Sequence, residues 1–172
     1  MRIELGDAVV RLARGAAVVR ELALGVGGEQ ARWRPAPGKW ALTEVVHHLA
    51  DEEVLDFPRR LRSVLEDPRA EWPPIDPEGW CRERKYIEGR IEDASARFQR
   101  EREQSLAWLC ELGSIDADLA HDHPRLGRLR AGDLLAAWID HDLLHARQML
   151  ALHHAWHAER SNPYSTAYAG PW

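Results

Sequence analysis

Apolar residues recur three and four apart along four long stretches of this chain, the pattern of helices that bury one face. In the first, Leu5 to Leu24, the positions Val9, Leu12, Ala13, Ala16, Ala17, Val19 and Leu22 keep that spacing, and Gly25-Val26-Gly27-Gly28 ends it. The second runs from Leu42 to Leu65 and carries the stripe Leu42, Val45, Val46 and Leu49. Glu44 stands where the third helical residue of a capping box belongs, but Ala41 has no hydroxyl to complete the box, so Thr43 is the other candidate cap. The third, Tyr86 to Leu112, turns Ile87, Ile91, Ala94, Phe98, Leu106, Leu109 and Leu112 inward and stops at Gly113. The fourth, Ala131 to His157, is free of proline, with Asp133 as its cap or first-turn anion.

The connections read as loops. Trp33-Arg34-Pro35-Ala36-Pro37-Gly38-Lys39-Trp40 is too rich in proline and glycine to continue a helix and predicts an ordered turn pinned by its two tryptophans. Asp67-Pro68 and the stretch Trp72 to Gly79 predict a long loop, and Ser114 to Arg130 an irregular one. No segment reads as a strand, and no repeat or low-complexity tract appears. The expectation is an all-α four-helix bundle with long second and third connections. The tail from Ser161 to Trp172 is aromatic enough to pack back on the body or on a partner subunit.

Composition adds limits. A chain of 172 residues with 45% hydrophobic and 30% charged residues is the size of one domain, 1–172. No apolar run approaches the roughly 20 residues that span a bilayer, and Met1 to Asp7 lacks a signal peptide's apolar segment, so a soluble, cytoplasmic protein with no membrane partner is expected. Cys81 and Cys110 form no disulfide framework or metal motif and are read as idle thiols. A net charge of −5 argues against a nucleic-acid partner. The basic groups Arg59-Arg60-Leu61-Arg62 and Arg125 to Arg130 have Glu66, Asp67 and Asp133 nearby and read as solvated faces. Lysine is confined to Lys39 and Lys85, a bias that suggests a GC-rich bacterial genome.

The histidines carry the chemistry. His141 and His145 lie four apart on the fourth helix and share a face with Leu134, Trp138, Gln148 and Leu152, so both imidazoles can meet one ion from an inward-facing position. His153, His154 and His157 lie on another face near the helix end and are read as structural. A catalytic site usually takes three protein ligands and keeps one position open, and the second helix offers the third. Periodicity does not choose there between His47 and His48, which flank opposite edges of the apolar stripe.

Trp40 ahead of the second helix, Val46-His47-His48-Leu49-Ala50-Asp51 within it, His123-Pro124-Arg125-Leu126-Gly127, and His141-Asp142-Leu143-Leu144-His145-Ala146-Arg147-Gln148 together resemble the DinB superfamily, including its YfiT-like branch. The resemblance covers almost the whole chain. It implies a four-helix bundle that binds a divalent metal through His48, His141 and His145. Zinc or nickel stand foremost as the metal, although histidine-only ligation also suits copper and iron. Glu52 is a candidate base, fourth ligand or acceptor behind a ligand, and Asp140, Asp142 or Gln148 could orient an imidazole.

What the resemblance implies about the reaction is a thiol-dependent S-transferase or isomerase, in which the metal activates a low-molecular-weight thiol that attacks an electrophile. The arginines of 125–130 would then hold the thiol's carboxylate. A metal-dependent hydrolase using metal-bound hydroxide is the alternative, favoured by Glu52 as base, and a non-catalytic metal-binding stress or interaction protein is the third. Relatives in the family are often dimers, so a homodimer is expected, with the tryptophan-rich loops as one possible interface.

Overall fold

The computed structural model describes residues 4–172; Met1 to Ile3, part of the stretch read as lacking a signal segment, lie outside the described residues. The elements are α1 (Leu5–Ala23), α2 (Gly28–Arg32), α3 (Leu42–Leu55), α4 (Phe57–Glu66), α5 (Pro77–Glu83), α6 (Ile91–Leu112), β1 (Ala120–His123), β2 (Gly127–Arg130) and α7 (Ala131–Arg160). Short 3-10 turns occupy Tyr86–Glu88 and Ala167–Ala169. The four expected long helices form the bundle, with α3 and α4 sharing one of its positions. α3 packs chiefly on α6, and α1 packs on both α6 and α7.

Three boundaries differ from the sequence reading. The second helix is two, broken at Asp56 (φ −121°, ψ −93°), because Pro58 cannot donate the helical bond and suits the first turn of a new helix instead. The third helix begins at Ile91 rather than Tyr86, and the residues before it form α5 and a 3-10 turn around Lys85, which adopts a left-handed conformation at φ 51°. The stretch read as free of strands holds a hairpin in which Ala120 pairs with Arg130 and His123 with Gly127. Its strands are four residues each, too short for alternation to register, and Gly127 supplies the positive φ of 75° that closes the turn.

Capping follows the local chemistry. Glu44 Oε2 accepts from Ala41 N–H at 2.8 Å, the return half of a capping box whose other half alanine cannot make. Thr43 does not cap; its hydroxyl donates to the Gly89 carbonyl. Asp133 accepts the Arg130 N–H and grips its guanidinium at the start of α7.

The core has two apolar clusters. One gathers Ala16 and Val19 of α1, Val45, Val46 and Leu49 of α3, Phe98 of α6, and Met149 and Leu152 of α7. The other gathers Leu5, Ala8 and Leu12 of α1, Leu61 and Val64 of α4, Leu109 of α6, and Leu134, Leu135 and Trp138 of α7. Between them, at mid-length of every long helix, lies a buried polar layer. Arg102 of α6, 1% exposed, donates to Glu53 Oε1 at 2.8 Å and to both oxygens of Asp142 at 2.7 and 3.0 Å. It also donates to the Leu12 carbonyl, and Trp138 Nε1 donates to the second Glu53 oxygen. A buried guanidinium with every charge paired is tolerated; one with a partner missing is not. The tail folds back through Trp172, which stacks on His154 at 4.2 Å, while Tyr164 and Tyr168 stay exposed. No helix among the described residues is long and apolar enough to cross a membrane.

Candidate metal centre

α3 is buried almost throughout from Leu42 to Glu53, so a histidine on it must find partners inside the bundle. His48 does so by meeting the i, i+4 pair of α7. Its Nε2 lies 3.2 Å from His141 Nε2 and 3.1 Å from His145 Nε2, and those two are 3.2 Å from each other. The three rings close a triangle of nitrogens at the edge of the polar layer. Helical spacing brings the pair together on α7, and the packing of α3 beside α7 supplies the third.

All three imidazoles are neutral at ordinary pH. Burial first, and then the neighbouring His145, hold His48 down at about 3. His141 is depressed by burial, then by His145, His48 and Arg102. Burial lowers His145 as well, against a smaller opposing effect from Gln148. Gln148 Oε1 accepts from His145 Nδ1 at 2.8 Å, which places the proton on that nitrogen and turns the Nε2 lone pair into the triangle.

This donor set fits a divalent cation. Nitrogens held about 2.05 Å from a tetrahedral ion are separated by roughly 3.3 Å, close to the edges observed here. Neutral rings aiming lone pairs at one point repel each other unless a cation sits between them. Indole and phenyl rings shield the cluster: Trp40 lies edge-on to His48 at 5.0 Å, and Phe57 tilts over His141 at 5.0 Å while stacking on Trp138. Three ligands leave room for a water or substrate atom.

Glu52, one turn on from His48, stands behind that ring. Its Oε1 is 3.8 Å from His48 Nδ1, the nitrogen pointing away from the triangle, so it is neither a fourth ligand nor in hydrogen-bond contact. Both atoms are buried without a hydrogen-bond partner. Burial first, then the neighbouring Asp56, raise the Glu52 carboxyl far above the usual carboxylate range, so it holds a proton at neutral pH. Asp56 in turn pairs with Arg60, whose guanidinium lies 4.8 Å over Trp72. Trp72 lines a cleft of about 440 Å³ shared with Arg60, Ile75, His123 and Arg125.

The remaining candidates have other partners. His47 faces away, stacked on Tyr86 at 5.3 Å with Gly89 against its ring. Asp142 is committed to Arg102, and Asp140 is exposed, so neither orients an imidazole; of the three residues considered for that task, Gln148 performs it. His153 bonds Gln30 and the Leu22 carbonyl, His154 stacks on Trp172, and His157 reaches Ser161. Cys81 is buried against Glu44, and Cys110 is exposed and free.

The sequence reading passed over two buried groups. One is Arg102, although a lone arginine at the 98, 102, 105, 109 spacing of an apolar stripe was a visible signal. The other is Asp51, fully buried and bound by Arg84, Arg97 and Tyr86, which pins the α5 region and α6 against α3.

Comparison with known proteins agrees with this architecture. The family model of the DinB superfamily matches residues 11–149. Among solved structures, YfiT from Bacillus subtilis, described as a probable metal-dependent hydrolase with an unusual four-helix bundle topology, superposes with a TM-score of 0.78 at 19% identity, over 88% of this chain and 87% of that one. No curated protein matches the chain.

Proposed function

This chain belongs to the DinB superfamily, and from that premise we propose that it is a metal-dependent hydrolase whose divalent cation is held by His48, His141 and His145. The observation that carries the reading is the triangle of three neutral, inward-aimed Nε2 atoms. The description of the structurally similar YfiT as a probable metal-dependent hydrolase supports it. When bound, such a cation supplies a Lewis acid that ionises water near neutral pH and polarises a carbonyl or phosphoryl oxygen.

The chain's own residues do the rest. Gln148 fixes the tautomer of His145. Phe57 and Trp40 keep bulk water from the ligand rings. Glu52 keeps its proton behind His48, so it does not supply the general base that a carboxylate provides when ionised. Arg60 connects that acid pair to the cleft at Trp72, whose Arg60, His123 and Arg125 lining suits a substrate bearing negative charge.

Thiol transfer, expected from the sequence, has less support. It needs a clamp for the thiol's carboxylate, and of the arginines offered for it only Arg125 lines the cleft at Trp72: Arg130 is tied to Asp133 and Asp118, and Arg128 is exposed on the hairpin.

The test has two stages. Elemental analysis of untagged protein is expected to give near-stoichiometric zinc or nickel, lost in His48→Ala, His141→Ala and His145→Ala and kept in His47→Ala. Release of a chromogenic leaving group from activated carboxylic and phosphoric esters, present in the loaded protein and absent in His145→Ala, then supports hydrolysis. A loaded protein that consumes low-molecular-weight thiols with an electrophile but cleaves no ester would overturn it in favour of transfer.

A further inference from the structure

Three segments far apart in sequence meet at one cleft. α4 gives Arg60, the loop after it gives Trp72 to Ile75, and the hairpin gives His123 to Leu126, around a volume of about 440 Å³. That is the size of a small-molecule pocket. No carboxylate lines it, although the chain as a whole carries a net charge of −5. By contrast, the groove of about 530 Å³ between α4 and α6 sets Glu53, Glu66, Asp67 and Glu101 against Arg59 and Arg62.

The polar groups of the cleft are held before any ligand enters. Trp72 stacks on His121 at 4.1 Å, its Nε1 donates to Ser63 Oγ at 3.1 Å, and the Arg60 guanidinium lies 4.8 Å from its ring. His121 is fixed in turn, its Nδ1 donating to the Pro68 carbonyl at 3.0 Å. Asp56 grips Arg60 at Nε, and no other acceptor reaches that guanidinium among the described residues. An arginine positioned in this way loses little further freedom when its remaining N–H groups bind.

His123 adds a donor of set direction. The N–H groups of Arg125 and Leu126 both donate to its Nδ1, at 3.2 and 3.1 Å, so the neutral ring carries its proton on Nε2. That N–H has no partner among the described residues. Arg125, exposed and without an ion pair among the described residues, brings a second guanidinium to the rim. The other lining side chains are apolar, Pro73, Pro74, Ile75, Pro124 and Leu126, and Leu126 is 67% exposed.

Two guanidiniums and one ring N–H beside apolar walls select a flat anion on an apolar body. A carboxylate meets the arginine fork with two parallel hydrogen bonds. Inorganic phosphate would leave the apolar walls without a partner. A thiol of peptide type brings an ammonium group, for which the lining holds no carboxylate. We propose that this cleft binds the free carboxylate of an amphiphilic organic acid, held by Arg60 and the His123 Nε2–H with Arg125 at the rim. Assigning that acid to the substrate rests on the hydrolase reading above, and makes the substrate an ester or amide that also carries a free carboxylate. Phe57, which tilts over the metal ligand His141, precedes Arg60 by one turn of α4, so cleft and metal face share the start of that helix.

Titration calorimetry on chelator-treated protein separates the cleft from the cation, because the probe, hydrocinnamate, then has no metal to bind. Hydrocinnamate is expected to bind about tenfold or more tightly than hydrocinnamamide, which lacks the charge, and than propionate, inorganic phosphate or glutathione, which lack its apolar body. Arg60→Lys keeps the charge without the fork, His123→Phe keeps the ring beside Trp72 without the donor, and Arg125→Gln changes an exposed position only. Each is expected to weaken binding about fivefold or more, with far-ultraviolet circular dichroism unchanged. In metal-loaded protein, the para-nitrophenyl monoester of adipic acid is expected to show about tenfold higher kcat/KM than para-nitrophenyl hexanoate, a preference carried by KM and lost in Arg60→Lys and Arg125→Gln. No binding of hydrocinnamate, or binding indifferent to all three substitutions, overturns the proposal whether or not any ester is cleaved. Tighter binding of glutathione overturns it in favour of a thiol site, and equal cleavage of the two esters overturns the assignment to the substrate. Binding that the substitutions weaken, in a protein that cleaves no ester when loaded, upholds the carboxylate site and removes the hydrolase reading alone.

Discussion

Glu52 is buried at 4% exposure against a neutral imidazole and a second carboxylate, and it sets a testable pH dependence of its own. Its folded-state pKa lies above the ordinary 4.5, so the unfolded chain releases this proton at lower pH than the folded chain does. The folded state therefore loses stability, relative to the unfolded, as pH rises through the interval above 4.5. Glu52→Gln removes that dependence. In chelator-treated protein it is expected to raise stability by at least about 1 kcal/mol at pH 8 and to change little at pH 4, read from urea unfolding at both values. Equal effects at the two pH values would mean that Glu52 is ionised in the fold. The His47–His48 ambiguity was also a matter of single residues. Periodicity assigns a side chain to a face only within the width of a helical stripe, and both histidines sit on its edges; Gly89 and Tyr86 decide the matter by giving His47 a ring-shaped slot. Those contacts come from an element some forty residues away and leave no trace in the local pattern.

Elements differ in how plainly they announce themselves. α1, α6 and α7 were legible because long amphipathic or apolar runs outweigh local detail, and their ends fall within a few residues of the expected ones, α6 apart. The break between α3 and α4 was legible in principle at Pro58, but the apolar spacing continues across it and hid the change of axis. The hairpin was not legible, since its strands are held by pairing with each other more than by side-chain alternation. Where elements pack, close approach sets a cost that helix propensity does not foresee. Gly15 of α1 lies against Asp142, and a Cβ there would overlap a carboxylate that Arg102 holds by both oxygens. Gly15→Ala, favourable for an isolated helix by about 1 kcal/mol, is expected to destabilise the protein by about 1–3 kcal/mol in thermal or urea unfolding. Arg102→Met leaves Glu53 and Asp142 buried without their cation and is expected to cost about 3–5 kcal/mol.

At the scale of the molecule, the polar layer divides two apolar clusters, and the histidine triangle lies where α3 and α7 cross it. Nothing but side chains joins those two helices at this level, so a cation there acts as a crosslink between elements 93 residues apart in sequence. A ligand that binds only the folded chain stabilises it by about 2.7 kcal/mol at a hundredfold excess over its dissociation constant. Zinc or nickel is therefore expected to raise the melting temperature of chelator-treated protein in a concentration-dependent way without changing its helix content. His48→Leu separates this effect from ordinary packing, because the sign of its effect depends on the metal. Without metal, the substitution removes a buried ring whose Nδ1 has no partner and whose Nε2 faces only other histidines, so stability is expected to hold or rise slightly. With metal, the variant forgoes the crosslink and melts below the wild type. Melting curves of both proteins in chelator and in excess metal decide it: a crossing of the two supports a metal-tied bundle, whereas a uniform loss in His48→Leu under both conditions would show that the histidine triangle holds the helices together by packing alone.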